Sequence, residues 1–236
     1  MEDYWTLTET AKSLGMSLKE ASRVLDRAGL KPVTHQGRKC YRRSDLMEWL
    51  TREFGSLAAE RLAAAEHSNA ETLGLNPLEL TVHDKLYGHV IFPERVGTAS
   101  SMLRTMAAEA CRTGRIFDEK KLLEQLVARE RTSPTALRCG VALIHPLDVS
   151  SIYMEQGLLM LFKPPHPLPF GEPSGELTGL FFLLAFPEAN EHLHILARLS
   201  RMLKDRSFIE DMLDADDPAQ MLQVIKARER RIVERF

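Results

Sequence analysis

The stretch Gly140-Val141-Ala142-Leu143-Ile144-His145-Pro146 decides how this chain is read. Its apolar run is too short for a buried helix beside glycine and proline, so it reads as a buried strand. The strand closes on an imidazole where a turn is expected. Neutral imidazole is a nucleophile whose charge switches near neutral pH, so at the C-terminal edge of a sheet it could accept a phosphoryl group or a proton. Taken alone, His145 is better read as a packed histidine bonded to a carbonyl, and the rest of the chain has to decide.

Working outward, the apolar runs Gly157 to Phe162 and Leu177 to Phe186 also read as strands, joined by a proline-rich extended connection through Pro164, Pro165, Pro167 and Pro169. Helical patterns surround them. Thr98 caps one helix through Met102, Met106 and Ala110, and Asp118 caps another through Leu122, Leu123, Leu126 and Val127. Further helices follow at Glu191 to Lys204, Phe208 to Leu213 and Pro218 to Arg230, the last opened by Asp217 with proline in its first position. From about Asn76 onward, alternating helices and apolar runs give an α/β layer structure.

The start of the chain is different in pattern. Thr8 caps a short helix with Ala11 and Leu14 on one face, ended by Gly15. Ser17-Leu18-Lys19-Glu20 is a capping box for a second helix, with Ala21, Val24, Leu25 and Ala28 inward and Gly29 as its stop. Pro32 to His35 and Lys39 to Arg42 flank Gln36-Gly37-Arg38 as a β-hairpin, and Ser44 caps a third helix through Leu46, Trp49 and Leu50. Two helices joined by so short a turn form a helix-turn-helix. Leu57 to His67 is rich in alanine and strong helix formers with few large apolar groups. It reads as a helical linker.

The order of these elements, with Tyr41-Arg42-Arg43-Ser44-Asp45-Leu46 and Trp49-Leu50, resembles the winged helix-turn-helix of excisionase and MerR-like DNA-binding domains over residues 4 to 51. That resemblance implies Ser17, Lys19, Arg23 and Arg27 on the groove side and Arg38, Lys39, Arg42 and Arg43 on the wing, cations attracting phosphates while groove-facing side chains read bases. The alternative is an interaction module with a solvated basic face. Up to Arg52 there are ten basic and seven acidic side chains, whereas the whole chain carries a formal net charge of -2, so the remainder is acidic. A basic module joined to an acidic one suits two partners. The small basic excess favours a homodimer on two half-sites.

With 236 residues the chain can hold one large domain or two smaller ones. Cys40, Cys111 and Cys139 lack CxxC spacing and cannot build a disulfide framework, which points to a reducing compartment and argues against a thiolate zinc site. No apolar run is long enough to span a bilayer, and Met1-Glu2-Asp3 is no signal peptide, so a cytoplasmic location without a membrane segment is expected.

A second histidine strengthens the reading of His145. Asn190 caps the helix from Glu191, and His192, Ile195, Leu196, Leu199 and Leu203 share one inward stripe. His192 then lies in a first turn, where free N–H groups favour an anion, and His194 is expected to face solvent. Arg129-Glu130 ends the helix opened by Asp118, and an arginine there could reach the sheet edge and neutralise a phosphoryl oxygen.

Together, Arg129-Glu130, Ser133-Pro134-Thr135, Gly140 to His145, Ala185-Phe186-Pro187 and His192-Leu193-His194-Ile195-Leu196 resemble the enzyme IIA domain of the fructose, mannitol and nitrogen-regulatory branch of the bacterial phosphotransferase system. The resemblance runs from roughly Leu78 to the C-terminus. It implies an α/β (α+β) mixed-sheet domain flanked by helices. It also implies that His145 accepts a phosphoryl group from the histidine phosphocarrier protein HPr, with His192 as support, Arg129 as anion contact, and Thr135 and Arg138 as phosphate-site candidates. No metal and no cofactor are implied. The expected layout is a winged helix-turn-helix domain over 1–52, a helical linker over 53–75 and a IIA-like domain over 76–236.

Two positions depart from the family pattern. Ile144 stands where proline usually precedes the histidine, and Ala136-Leu137-Arg138-Cys139 replaces a glycine-rich turn. The leading expectation is a phosphorylation-responsive DNA-binding regulator. Its alternatives are a IIA-like sensor that is not phosphorylated, a protein-interaction module, and metal hydrolysis through His145, His166 and His192, which lacks a histidine pair on one helix face with a nearby carboxylate.

Overall fold

A computed structural model describes residues 4–54, 57–76 and 79–234 of the chain. Met1-Glu2-Asp3 and Leu78 lie outside the described residues. Two units emerge: Met1–Leu80 with Ala189–Lys204, and Thr81–Glu188 with Asp205–Phe236.

In the first unit, β1 (Tyr4–Thr6), β2 (Val33–His35) and β3 (Arg38–Arg42) form an antiparallel sheet in the order β1-β3-β2. α1 (Leu7–Ser13) and α2 (Leu18–Arg27) precede the hairpin, and α3 (Arg43–Phe54) and α4 (Ala59–Leu73) follow it. The capping box of Ser17 and Glu20 opens α2 as expected. α1 is capped two residues earlier than expected, by Thr6 and not Thr8, the Thr6 hydroxyl accepting from the Glu9 N–H while the Glu9 carboxylate accepts from the Thr6 N–H. Ser44 lies inside the first turn of α3. Gly15 closes α1 with φ of 59°, and a β-carbon there would sit 2.6 Å from the carbonyl carbon of Ala64. Glycine therefore serves both the left-handed turn and the close approach to α4. Ala11, Leu14, Ala21, Leu25, Leu46, Trp49, Leu50 and Leu62 fill the core.

α8 (Ala189–Leu203) belongs to this unit and packs along α4. Two expectations change here. The segment read as a linker is a core helix, because Ala63, Ala65 and Ala70 are small enough to bring its axis close to α8. His194, expected in solvent, is fully buried, its Nδ1 3.0 Å from the Glu66 carbonyl and its Nε2 2.9 Å from the Leu80 carbonyl. Beside it, the buried Glu66 carboxylate accepts from Arg198 Nε at 3.0 Å, Arg198 Nη2 at 2.8 Å and Arg201 Nη1 at 2.6 Å. Buried charge persists only when paired and hydrogen-bonded, and this cluster meets that condition. α8 begins at Ala189, so Asn190 lies within it, and the Asn190 Oδ1 accepts from the Ser13 hydroxyl.

The second unit is built on a mixed five-stranded sheet of β4 (Val90–Ile91), β5 (Ala136–Leu137), β6 (Val141–Ile144), β7 (Leu158–Phe162) and β10 (Leu180–Ala185), in the order β4-β7-β10-β6-β5. β10 runs parallel to β6 and antiparallel to β7. The apolar run from Leu177 divides at Gly179: β9 (Leu177–Thr178) pairs with β8 (Leu168–Pro169) in a separate ribbon, and only the part after Gly179 enters the main sheet. α6 (Ala99–Arg112) and α7 (Glu119–Thr132) cover one face, capped by Thr98 and Asp118 as expected. Strand residues of one parity, Ala142 and Ile144, Leu158, Met160 and Phe162, and Phe181, Leu183 and Ala185, meet Met102, Met106, Leu122 and Leu126 from those helices. α5 (Val82–Leu86), α9 (Arg206–Asp214) and α10 (Pro218–Val233) complete the unit, α10 opening at Asp217 with proline in its first turn. No helix among the described residues is long and apolar enough to cross a membrane.

Candidate functional site

β6 ends at Ile144, which pairs with Leu183 of β10, so the backbone leading into His145 is held against the central strand of the sheet. Strand pairing, not a proline before the histidine, fixes the approach of the imidazole. The ring is 5% exposed. Its Nδ1 lies 3.1 Å from the Leu143 carbonyl, and its Nε2 accepts from Arg129 Nε at 2.9 Å. A carbonyl can only accept and a guanidinium N–H can only donate, so the two bonds define a neutral ring protonated at Nδ1 with its lone pair at Nε2.

Arg129 reaches the ring from the last turn of α7, where the negative end of the helix favours a cation. Its side chain is 2% exposed, and Nη1 also donates to the Ser133 carbonyl at 2.7 Å. Glu130 turns to the other side of the same loop. Its Oε2 accepts from the Thr135 N–H at 3.2 Å and its Oε1 accepts from the Thr135 hydroxyl. Burial raises the Glu130 pKa above the usual carboxylate value, against the lowering effect of the Thr135 bonds and of Arg129. The structure thus brings Arg129, His145, Ser133, Glu130 and Thr135 together at one end of β6.

Arg138 is placed elsewhere. It lies in the Leu137 to Gly140 turn at the start of β6, about 13 Å along a four-residue strand from the His145 end. Its side chain is 88% exposed, with Nε 3.8 Å from Glu172 Oε1. Gly140 closes the turn with φ of 72°, and a β-carbon there would sit 3.3 Å from the Leu177 carbonyl. His192 is buried on α8 in the first unit. Burial, aided by the charge of Arg43, lowers its pKa to about 4, which keeps the ring neutral at pH 7. Among the described residues no group of three or more histidine, cysteine or acidic side chains could hold a metal ion.

In the first unit, Lys19, Arg23 and Arg27 recur every fourth residue along α2 and are all exposed, opposite the buried Ala21 and Leu25. Arg38, Lys39 and Arg42 are exposed on the hairpin, and Arg43 is partly buried. The Ser17 hydroxyl is engaged in its cap, donating to Glu20 Oε2 at 2.9 Å and accepting from the Glu20 N–H. The sequence pointed to Glu130 only as the neighbour of Arg129, with no role of its own, and the Glu66 cluster was not singled out. A glutamate directly after three alanines, Ala63-Ala64-Ala65-Glu66, with two arginines three apart on a later helix, was the available signal for the cluster.

The family model for the EIIA 2 domain of the phosphoenolpyruvate-dependent sugar phosphotransferase system matches residues 87–228, and the chain belongs to that family. It is 28% identical over 151 residues to a nitrogen regulatory protein of Bradyrhizobium diazoefficiens, covering 62% of this chain and 95% of that one. A nitrogen regulatory protein of Pseudomonas aeruginosa is 30% identical over 131 residues, with 55% of this chain and 82% of that one covered. Among solved structures, the nitrogen regulatory protein IIA-Ntr of Neisseria meningitidis shares the fold at a TM-score of 0.55 and 22% identity, covering 61% of this chain and 98% of that one. The mannitol IIA of Escherichia coli, in complex with phosphorylated IIB, does so at 0.51 and 19%, covering 59% and 94%. The matched span includes α8, which here is a member of the first unit.

Proposed function

We propose that this protein is a cytoplasmic, phosphorylation-responsive regulator in which His145 accepts a phosphoryl group at Nε2 from an HPr-like histidine phosphocarrier. The observation that carries this reading is the pair of bonds fixing the ring: Nδ1–H on the Leu143 carbonyl and Nε2 facing Arg129. The Nε2 lone pair attacks phosphorus, a P–N bond forms on His145 as the P–N bond to the carrier imidazole breaks, and the carrier leaves with the electron pair. Arg129 must release Nε2 first. Its fixed charge then meets the phosphoryl oxygens, a stronger partner than neutral imidazole. His192 takes the supporting role that the histidine-leucine motif of the family assigns it, and Thr135 lends a hydroxyl to the loop bordering the site.

The same reading makes the first unit a winged helix-turn-helix that binds DNA as a homodimer. The exposed row Lys19, Arg23 and Arg27 on α2 enters the groove, and Arg38, Lys39, Arg42 and Arg43 serve the wing. About two added negative charges at His145 then alter DNA affinity. The test is incubation of native and His145→Ala protein with phosphoenolpyruvate, enzyme I and the phosphocarrier, with detection of acid-labile phosphate. Label on the native chain and none on the variant is expected. An unlabelled native chain overturns the acceptor role and leaves a sensor, while salt-sensitive gel shifts lost in Arg23→Ala and Arg42→Ala test the DNA-binding role separately.

A further inference from the structure

The atoms behind His145 form a continuous chain of hydrogen bonds that ends on a carboxylate. Glu130 accepts from both the N–H and the hydroxyl of Thr135. The Thr135 carbonyl accepts from the Leu143 N–H at 3.2 Å. The Leu143 carbonyl in turn accepts from His145 Nδ1 at 3.1 Å. Thr135 is 6% exposed, so little water competes for these groups. The residue next to Glu130 grips the opposite side of the same ring, Arg129 donating to Nε2 while its Nη1 holds the Ser133 carbonyl. One helix end therefore reaches the imidazole from two directions: directly through a cation on Nε2, and indirectly through a carboxylate, a threonine and a strand backbone on Nδ1.

Resting on the phosphoacceptor reading above, we propose that Glu130 is a positioning residue that acts through Thr135 and Leu143 to keep His145 protonated at Nδ1, so that Nε2 is the nucleophile. A ring nitrogen is protonated according to the bond its partner offers, so the Leu143 carbonyl on Nδ1 sets the tautomer together with the Arg129 donor on Nε2, and it is what holds the tautomer once Arg129 releases Nε2. That carbonyl belongs to a strand residue whose N–H is tied to the Thr135 loop, and the loop is tied down by Glu130. Without the carboxylate, two Thr135 donors lose their acceptor in a buried site and the loop must shift to hydrate them. Buried burden on the carboxyl, which raises its pKa, fits a group kept for geometry and not for solvation.

The experiment uses the full chain as native, Glu130→Ala, Thr135→Val and Thr135→Ser proteins, each checked for folding by circular dichroism. The tautomer of His145 is read from nitrogen-15 spectra above pH 7.5, against a His145→Ala reference, and phosphoryl acceptance is followed with the purified carrier. Glu130→Ala and Thr135→Val are expected to add a population protonated at Nε2 and to slow acceptance by about tenfold to a hundredfold, with the KM for the carrier unchanged. Thr135→Ser is expected to keep both the native spectrum and the native rate. Slowed acceptance with an unchanged tautomer would overturn the proposal, as would native behaviour in both Glu130→Ala and Thr135→Val. Should Glu130→Ala fail to fold, the Thr135 pair decides alone. If the native chain takes no label, the acceptor reading fails, and the spectra still judge whether Glu130 sets the tautomer.

Discussion

Replacing Glu66 with alanine isolates the energetic role of the cluster that joins α4 to α8. Its carboxylate accepts three N–H groups, two from Arg198 and one from Arg201, and its side chain is 5% exposed beside a fully buried Arg198. Glu66→Ala takes the shared carboxylate away from two buried guanidinium groups, while Arg198 keeps its bond to the Leu80 carbonyl. Removing one partner of such a buried pair costs about 3–5 kcal/mol. Both tryptophans, Trp5 and Trp49, lie in the first unit, so tryptophan fluorescence follows that unit by itself. With a urea dependence of about 1–3 kcal/mol per molar, the fluorescence midpoint should fall by about 1 M or more. Replacing all three residues together with apolar side chains of similar volume should restore most of the loss, because no uncompensated charge remains. A Glu66→Ala midpoint within about 0.3 M of native would refute the reasoning. It would mean that water reaches both arginines.

Other outcomes follow from single residues. His192 has its pKa lowered to about 4 by burial and by Arg43, so the unfolded chain binds the extra proton first as pH falls. The contribution is complete above the unfolded value near 6.5 and is lost as pH falls towards 4, up to about 3 kcal/mol in all; His192→Leu should flatten the pH dependence of the fluorescence midpoint, and an unchanged slope would count against it. His194 is shifted the same way by burial and Arg198, so some slope should survive in that variant. Arg129→Ala removes the charge facing His145 Nε2 and should slow phosphoryl acceptance by about tenfold to a hundredfold, with Arg129→Lys intermediate, since a lysine supplies charge without the fork of donors. A native rate in the alanine variant would dismiss the anion contact. Gly140→Ala must hold a side chain at positive φ close to the Leu177 carbonyl, and a loss of about 1–2 kcal/mol in thermal unfolding of the second unit is expected.

How much of this was legible depended on range. Caps at Ser17, Thr98, Asp118 and Asp217 could be read because a hydroxyl or carboxylate acts on N–H groups only a few residues away. The strand entering His145 could be read from its apolar run and bounding glycine and proline. β1 could not, since three half-buried residues carry no period and owe their conformation to β3, far along the chain. The burial of α4 was hidden by its own means of packing: alanines that allow a close helix approach have the composition of a spacer. His194 misled for a related reason. Periodicity assigned it to the outer face of its helix, but α8 is buried all round, and the ring faces carbonyls of Glu66 and Leu80 that no local pattern announces. Within the site, the strand end, Arg129 and His145 were visible in the motif. The role of Glu130 needed the pairing of Thr135 with Leu143.

The membership of α8 in the first unit bears on how the gene can be divided. The family match spans 87–228, yet the helix at Ala189–Leu203 inside it shares a core with residues before Leu80. A fragment begun after residue 80 would keep α8 while discarding α4, baring the apolar face of α8 that packs on α4 and the arginines of the Glu66 cluster, and is expected to aggregate. The chain crosses between the two units three times, so a deletion series that treats the first eighty residues as a detachable cassette would measure misfolding and not the loss of one unit's function.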